Sequence, residues 1–501
     1  MSHSPPPELP TRSLATSLGQ TFRSKPVLAV CLVGAFAWSV EQSESLRPLR
    51  ILSSSQPISA EESRPPDAPP LLQEGEAELT TDSKTSPGMA APTSMHATPS
   101  RGLIGGQEAA LDLPAIEAES PPVDLVDPTG SSLDNFFRAL ARTQSKKDKA
   151  ITRIAHFGDS IVVSDYISGT LRRKLQDTFG DAGHGYMLIA NPWPAYFHND
   201  VFRFATKGFR VSRIVGPTTK DGLYGLGGVT FRSTSGVIAQ FGTAEKGKYG
   251  RNVSHFYVSY LAQPHGGTFE LSVDGKVHSE VSTQAEVTEV RQVEIRVPDG
   301  EHRFQLRSRR GESRTFGVVL ERDGPGIVLD ALGVQGARIR FLDKQDDEHF
   351  ASELEWRNSD LIVYHFGANE SGDGYAYPMD EYLRTMKAVI AQGQKALPQS
   401  SCLIIGAMDR ARRRDGLTSS MKIIQLIIKE QEKAAHELGC AYFDTYNAMG
   451  GWGSMPRWVK RGLGQADMTH PTGVGAIRIG NWIYRSLMKS YDSYLKRHAS
   501  N

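Results

Sequence analysis

The period of apolar and polar positions changes twice along the folded part of this chain. Leu133, Phe136, Phe137, Leu140 and Ala141 share one helical face, the spacing of a helix that packs one side onto a core. An apolar run at 151–157 reads as a buried strand, and a helical pattern follows from Ser160 to about residue 179. From 192 to 324 the period drops to two, with short strands, frequent turn signals and no long helix. Phe269, Leu271 and Val273 alternate ahead of Asp274-Gly275, and Val293, Ile295 and Val297 ahead of Asp299-Gly300. Each Asp-Gly predicts a hairpin, and together the strands predict an antiparallel β-sandwich. Strands at 327–334, 360–366, 402–407 and 441–444 then alternate with helices at 380–392, 419–438 and 473–495. That rhythm predicts a parallel sheet covered on both faces. The expected division is 133–191 for the first part of an α/β domain, 192–325 for the insert and 326–495 for the second part. With a core of its own, the insert is expected to be removable without unfolding its host.

The N-terminal third follows neither pattern. Residues 26–40 form a nearly unbroken apolar run behind Arg23 and Lys25, with no acidic residue between Glu8 and Glu41. This reads as an export signal that engages the membrane. As a helix it spans about 22 Å, short of the roughly 30 Å hydrocarbon core, and Ala35 and Ala37 frame a small-residue cleavage site. A cleaved signal peptide and a short anchor both remain open, and either places the rest of the chain outside the cytoplasm. Residues 41–132 are rich in Pro, Ser, Glu, Thr and Ala without a sustained period, the composition of a disordered tether.

Composition narrows the partners. The 57 basic and 56 acidic residues of the 501 leave a net charge of +1, so no global field recruits nucleic acid. Of three cysteines, Cys31 lies in the apolar run, which leaves Cys402 with Cys440 as the one pair that could form in a folded domain; both open apolar strands, and two buried free thiols are the preferred reading. No spacing suits a metal, and no cofactor motif is present.

The candidate chemistry sits where strands end. Ser160 follows Gly158-Asp159 at a strand-to-helix corner, where Gly158 permits a tight turn, Asp159 can cap the helix, and the helix N-terminus offers unpaired N–H groups. Later strand ends carry Gly333-Val334-Gln335-Gly336 and Gly367-Ala368-Asn369-Glu370, and Asp467-Met468-Thr469-His470-Pro471 precedes the last helix. Asp467 and His470 are three apart, which in one helical turn sets carboxylate beside imidazole. Ligands of parallel sheets bind at the carboxyl ends of strands.

In order, these four segments resemble the signature blocks of the SGNH, or GDSL, hydrolases. The resemblance implies a flavodoxin-like three-layer α/β/α fold over about residues 145–495. It implies Ser160 as nucleophile, His470 as base, Asp467 as its orienting partner, and the Ser160 and Gly336 N–H groups with the Asn369 side chain as an oxyanion hole. The insert narrows the resemblance to bacterial peptidoglycan O-acetylesterases, whose insert is similar to a carbohydrate-binding module, and so implies an acetylated glycan as partner. A polysaccharide O-acetyltransferase would carry the same triad; a non-catalytic glycan-binding protein is the reading from a different class. Trp193, Tyr196, Phe197, Trp452 and Trp458 are candidate sugar contacts, though for any one of them a place in the core is the better bet. Arg410, Arg412, Arg413 and Arg414 form a basic loop, with Arg410 and Arg413 the candidates for gripping substrate carboxylates. His156 and His365 read as hydrogen-bonded histidines near the sheet edge.

Overall fold

The computed structural model describes residues 119–499; the apolar run at 26–40 and most of the expected tether lie outside them. In chain order come α1 (Asp134–Gln144), β1 (Ile151–Gly158), the single turn α2 (Ser160–Val163), α3 (Tyr166–Phe179) and β2 (Gly185–Leu188). Ten strands of the insert follow: β3 (Val201–Ala205), β4 (Arg210–Arg213), β5 (Val229–Ser233), β6 (Ile238–Thr243), β7 (Val253–Ala262), β8 (Thr268–Val273), β9 (Lys276–Ser282), β10 (Glu289–Gly300), β11 (Arg303–Arg310) and β12 (Ser313–Glu321). The body resumes with β13 (Gly326–Gly333), α4 (Asp347–Arg357), β14 (Leu361–His365), α5 (Met379–Ala396), β15 (Ser401–Ile405), β16 (Ala411–Arg414) and β17 (Leu417–Ser420). It closes with α6 (Ile423–Leu438), β18 (Ala441–Phe443), α7 (Thr445–Ala448), α8 (Ser454–Lys460) and α9 (Gly473–Ala499).

The body sheet runs β13-β1-β14-β15-β18, all parallel, the doubly wound flavodoxin-like order. Because β1 pairs with β13 over its whole length, Gly158 ends beside Gly333, and on its other side it meets His365 of β14. Three strand ends are thus brought to one edge. Successive residues of β1 face opposite layers. Ile154 packs among residues of α1, α3 and α9, and Ala155 and Phe157 pack among residues of α4, α5 and α6.

The insert is a sandwich of one sheet ordered β10-β7-β12-β5-β4, to which β2 adds beside β12, and a second ordered β3-β6-β11-β8-β9. Its core is continuous with that of the body. The strand β2, from the expected first part of the body, belongs to the sandwich, and a single apolar cluster runs from Phe157 and Tyr364 of the body into Phe241, Phe256 and Leu306 of the insert. Arg357 of α4 bridges Asp330 of β13 (2.7 Å) and Glu321 of β12 (2.8 Å), and Arg153 of β1 adds a fork on Glu321 (3.0 and 2.9 Å).

Other expectations also change. Asp274-Gly275 does make the β8–β9 turn, but β10, which ends in Asp299-Gly300, and the next strand β11 lie in opposite sheets. Asp299 instead takes the Arg322 guanidinium at 2.8 and 2.7 Å. Asp415-Gly416, with φ of 51° and 75°, turns the β16–β17 hairpin, so the expected helix at 419–438 starts only at Ile423. The helix expected from 160 to 179 breaks at Asp165, whose φ is 52°. Cys402 and Cys440 are paired as a disulfide rather than free, because β15 and β18 are parallel neighbours that bring their Cα atoms within 4.7 Å. The tether ends earlier than expected: Val126 pairs with Tyr442 at the sheet edge, Val123 and Leu125 pack on the core, and Glu119 meets Arg478 at 2.5 Å. Among the described residues no helix is long and apolar enough to cross a membrane.

Candidate active site

Ser160 opens α2 at the carboxyl end of β1. Asp159 caps it, accepting from Ile161 N–H at 3.0 Å, and a side chain at Gly158 would strike Val162 Cγ2 and the His365 carbonyl. Only glycine lets the chain turn this tightly. Ser160 Oγ lies 2.8 Å from His470 Nε2, and His470 Nδ1 lies 2.6 Å from Asp467 Oδ2. The three residues come from opposite ends of the body and form one chain of hydrogen bonds.

Asp467 and His470 do not share a helical turn. Met468 is left-handed (φ 59°), and Asp467 Oδ1 accepts from the N–H groups of Thr469 (2.9 Å) and His470 (3.0 Å), a side-chain-stabilised turn that fixes the carboxylate under the ring. Partial burial works against the Asp467 charge, but the His470 ring N–H and these backbone donors overcome it and hold the carboxyl down, at about 2. The His470 pKa is raised, chiefly by its hydrogen bond to Asp467; burial and the Arg410 charge oppose that. With Nδ1–H donated to the carboxylate, Nε2 is the acceptor for the serine hydroxyl.

Gly336 turns with φ +79°, a conformation suited to glycine. Asn369 donates from Nδ2 to Ala337 O at 3.0 Å, joining its loop to the Gly336 loop. Glu370 makes the same join one residue on, accepting from Ile339 N–H at 2.8 Å. Sequence reasoning did not single out Glu370, because it stands in a polar stretch, Asn369-Glu370-Ser371-Gly372-Asp373, where an acid carries no signal of burial. Burial pushes its carboxyl up to about 7 and that of Asp159 up to about 6.

The candidate substrate contacts fare differently. Arg410 is turned into the protein: Nη1 donates to Ala368 O (2.6 Å) and Ser371 Oγ (2.9 Å), and Nε to Thr469 Oγ1 (3.0 Å). It therefore braces the Asn369 loop against the His470 loop. Arg413 projects from the exposed β16–β17 hairpin, and Trp452 is 43% exposed ahead of α8. Trp193, Tyr196 and Trp458 are buried, with Trp458 edge-on to Trp482, so they fill the core. His156 and His365 stack with ring centroids 5.6 Å apart, and burial lowers both pKa values, His156 to about 4. His156 bonds Ser168 Oγ at 2.9 Å, but neither ring nitrogen of His365 has a partner among the described residues, contrary to expectation.

One group of potential metal ligands occurs among the described residues, Asp165 with His184 and His198. Its donors are already engaged: the Arg172 guanidinium takes both Asp165 oxygens (3.1 and 2.7 Å), and His184 Nε2 meets His198 Nδ1 at 3.0 Å. This brace joins α3 to the loop entering the insert.

No family model matches the chain, nor does any curated protein sequence. Among solved structures, a peptidoglycan O-acetylesterase superposes with a TM-score of 0.63 at 21% identity, covering 74% of this chain and 99% of that one. The fold is that of an SGNH-type α/β hydrolase. The shared length exceeds what the α/β body alone supplies, so this likeness of fold takes in the insert as well. An acetylxylan esterase from Geobacillus stearothermophilus (16% identity, 33% of this chain and 73% of that chain, TM-score 0.25) and a family two carbohydrate esterase from Cellvibrio japonicus (13%, 59% and 99%, 0.24) overlap far less well.

Proposed function

We propose that this chain is an exported serine esterase that removes O-acetyl groups from a cell-envelope polysaccharide, peptidoglycan in the first place, through an acetyl-enzyme. The observation that carries the reading is the continuous chain from Ser160 Oγ through His470 to Asp467. In the first step Ser160 Oγ bonds to the acetyl carbon while its proton passes to His470 Nε2. The carbonyl oxygen becomes an oxyanion facing the Ser160 and Gly336 N–H groups and the second N–H of Asn369 Nδ2. Collapse of that intermediate breaks the bond to the sugar oxygen, which leaves with the proton from His470. Water then attacks the acetyl carbon with His470 again as base, the bond to Ser160 Oγ breaks, and His470 returns the proton to that oxygen as acetate departs.

Asp467 stabilises the imidazolium of each step and holds the tautomer that accepts from serine. The Cys402–Cys440 disulfide supports a compartment outside the reducing cytoplasm, in keeping with the apolar run at 26–40. The test is acetate release by the purified protein from a chromogenic acetate ester and from acetylated peptidoglycan, xylan and alginate. Ser160→Ala is expected to abolish release from all of them while the fold remains; acetate release persisting in that variant would overturn the reading. Transfer to an added oligosaccharide in excess of hydrolysis would make the protein an acetyltransferase instead.

A further inference from the structure

A cleft of about 670 Å³ opens beside the edge strands β3 and β4 of the two sandwich sheets, bordered by the loop at 190–200 that enters from the body. Its size falls within the roughly 300–1,000 Å³ of small-molecule sites. Arg203 of β3 lines it. The guanidinium donates to Asn191 Oδ1 (3.1 Å) and Leu188 O (3.0 Å) and lies over the Tyr196 ring at 4.6 Å, but its Nε is shut off from solvent and has no acceptor. No carboxylate pairs with it among the described residues, because the neighbouring acids are taken. Arg173 forks Asp200 (2.6 and 2.8 Å), Arg172 forks Asp165, and Arg303 holds Glu245 at 3.0 Å. Lys207 and Lys246 also line the cleft, both exposed and without a carboxylate partner among the described residues. Phe197 and Phe209 are half-buried in its walls.

Withdrawing a cation from water without a counterion is costly, and protein folds normally supply one. Arg203 is such a cation, and the exposed Lys207 and Lys246 add positive charge to the same concavity, whose aromatic walls are the kind of surface on which the apolar faces of sugar rings stack. We propose that this cleft binds a carboxylate-bearing stretch of a glycan chain, the carboxylate on Arg203 with Lys207 and Lys246 at the mouth, and sugar rings against Phe197 and Phe209. Phe197 N–H donates to Val163 O at 3.2 Å, so the wall is tied to the turn that begins at Ser160. The proposal deepens the glycan-esterase reading by naming the charge of the glycan, yet it makes no use of the catalytic step.

The experiment is calorimetric titration of the full chain carrying Ser160→Ala, so that no ligand is consumed. The probes are muramic-acid-containing glycan fragments, uronate oligomers, and neutral chitooligosaccharides of equal length. Charge-assisted hydrogen bonds predict that at least one carboxylate-bearing series binds about tenfold or more tightly than the neutral one, and the series that does so names the source of the carboxylate. Adding Lys207→Glu with Lys246→Glu is expected to remove that preference, and Arg203→Gln to remove detectable binding. With Ser160 restored, the lysine pair is expected to leave small-ester turnover within about twofold, since small esters need only the triad and oxyanion donors. Equal binding of neutral and acidic chains, or binding unaffected by the lysine pair, would overturn the proposal. Should Arg203→Gln lower the melting temperature sharply, the lysine pair decides alone. Acetate release persisting in Ser160→Ala would sink the catalytic assignment and leave this binding result to stand or fall separately.

Discussion

Two buried polar clusters of the body are finished in opposite ways. At the seam with the insert, both Asp330 oxygens are engaged, by Arg357 and by Tyr186 N–H, and both Glu321 oxygens are held by Arg153 and Arg357. The two guanidinium groups outweigh the burial of Glu321 and keep its carboxyl at about 2. At the carboxyl ends of the strands the accounting is left open. Asp159 Oδ2, Glu370 Oε2 and Asp409 Oδ1 have no partner among the described residues, and the first N–H of α2, on Ser160, has no intrahelical acceptor. A fully paired cluster holds two sheets together; the other leaves buried carboxyl oxygens unpaired at the strand ends.

Perturbations should separate the two clusters. Asp467→Asn is expected to lower kcat by about 10³–10⁴-fold with little change in KM or melting temperature, because the carboxylate acts where the imidazolium develops. An unchanged kcat would assign the orienting role elsewhere. Asn369→Ala removes one of the proposed oxyanion donors and is expected to cost about 10²–10³-fold in kcat, again without loss of stability beyond that of its bond to Ala337. At the seam the signs reverse. Arg357→Met leaves Asp330 short of its cation and is expected to destabilise the protein by about 3–5 kcal/mol in chemical denaturation. Activity per folded molecule should be retained; equal loss of both would merge the two clusters into one. Excising residues 194–324 exposes the shared core and takes Glu321 away from Arg153 and Arg357, so it should give insoluble or unfolded protein, where an independent insert would leave a folded α/β body.

The smallest effect concerns pH. Activity needs neutral His470, whose pKa is raised, so the acid limb of kcat/KM should lie above the ordinary value of about 6.5. Asp467 favours the imidazolium and Arg410 disfavours it. Asp467→Asn should therefore move the limb down and Arg410→Gln should move it up. Movement of both in the same direction would show that a different group titrates.

How far the sequence revealed this depended on what each element buries. Strands covered on both faces appear as unbroken apolar runs, and the four blocks at their ends named Ser160, Gly336, Asn369, Asp467 and His470 before any geometry was known. The seam was invisible for the same reason that it is strong. Its helix α4 buries His349, Glu353 and Arg357 alongside Phe350 and Leu354, so no apolar stripe marks it. The β16–β17 hairpin hid behind a basic exposed strand although Asp415-Gly416 carried the turn signal, whereas Asp299-Gly300 carried the signal without the hairpin. The disulfide depended on strand order, which spacing alone does not encode.

The central claim is that Ser160 is a nucleophile activated by His470. Its most direct test is treatment of the intact protein with a serine-directed phosphonate, with the adduct located by peptide mass spectrometry. The account predicts one adduct, on Ser160, formed with the loss of esterase activity and far more slowly in His470→Ala. An adduct on another residue, or labelling of Ser160 at an undiminished rate in His470→Ala, would contradict it.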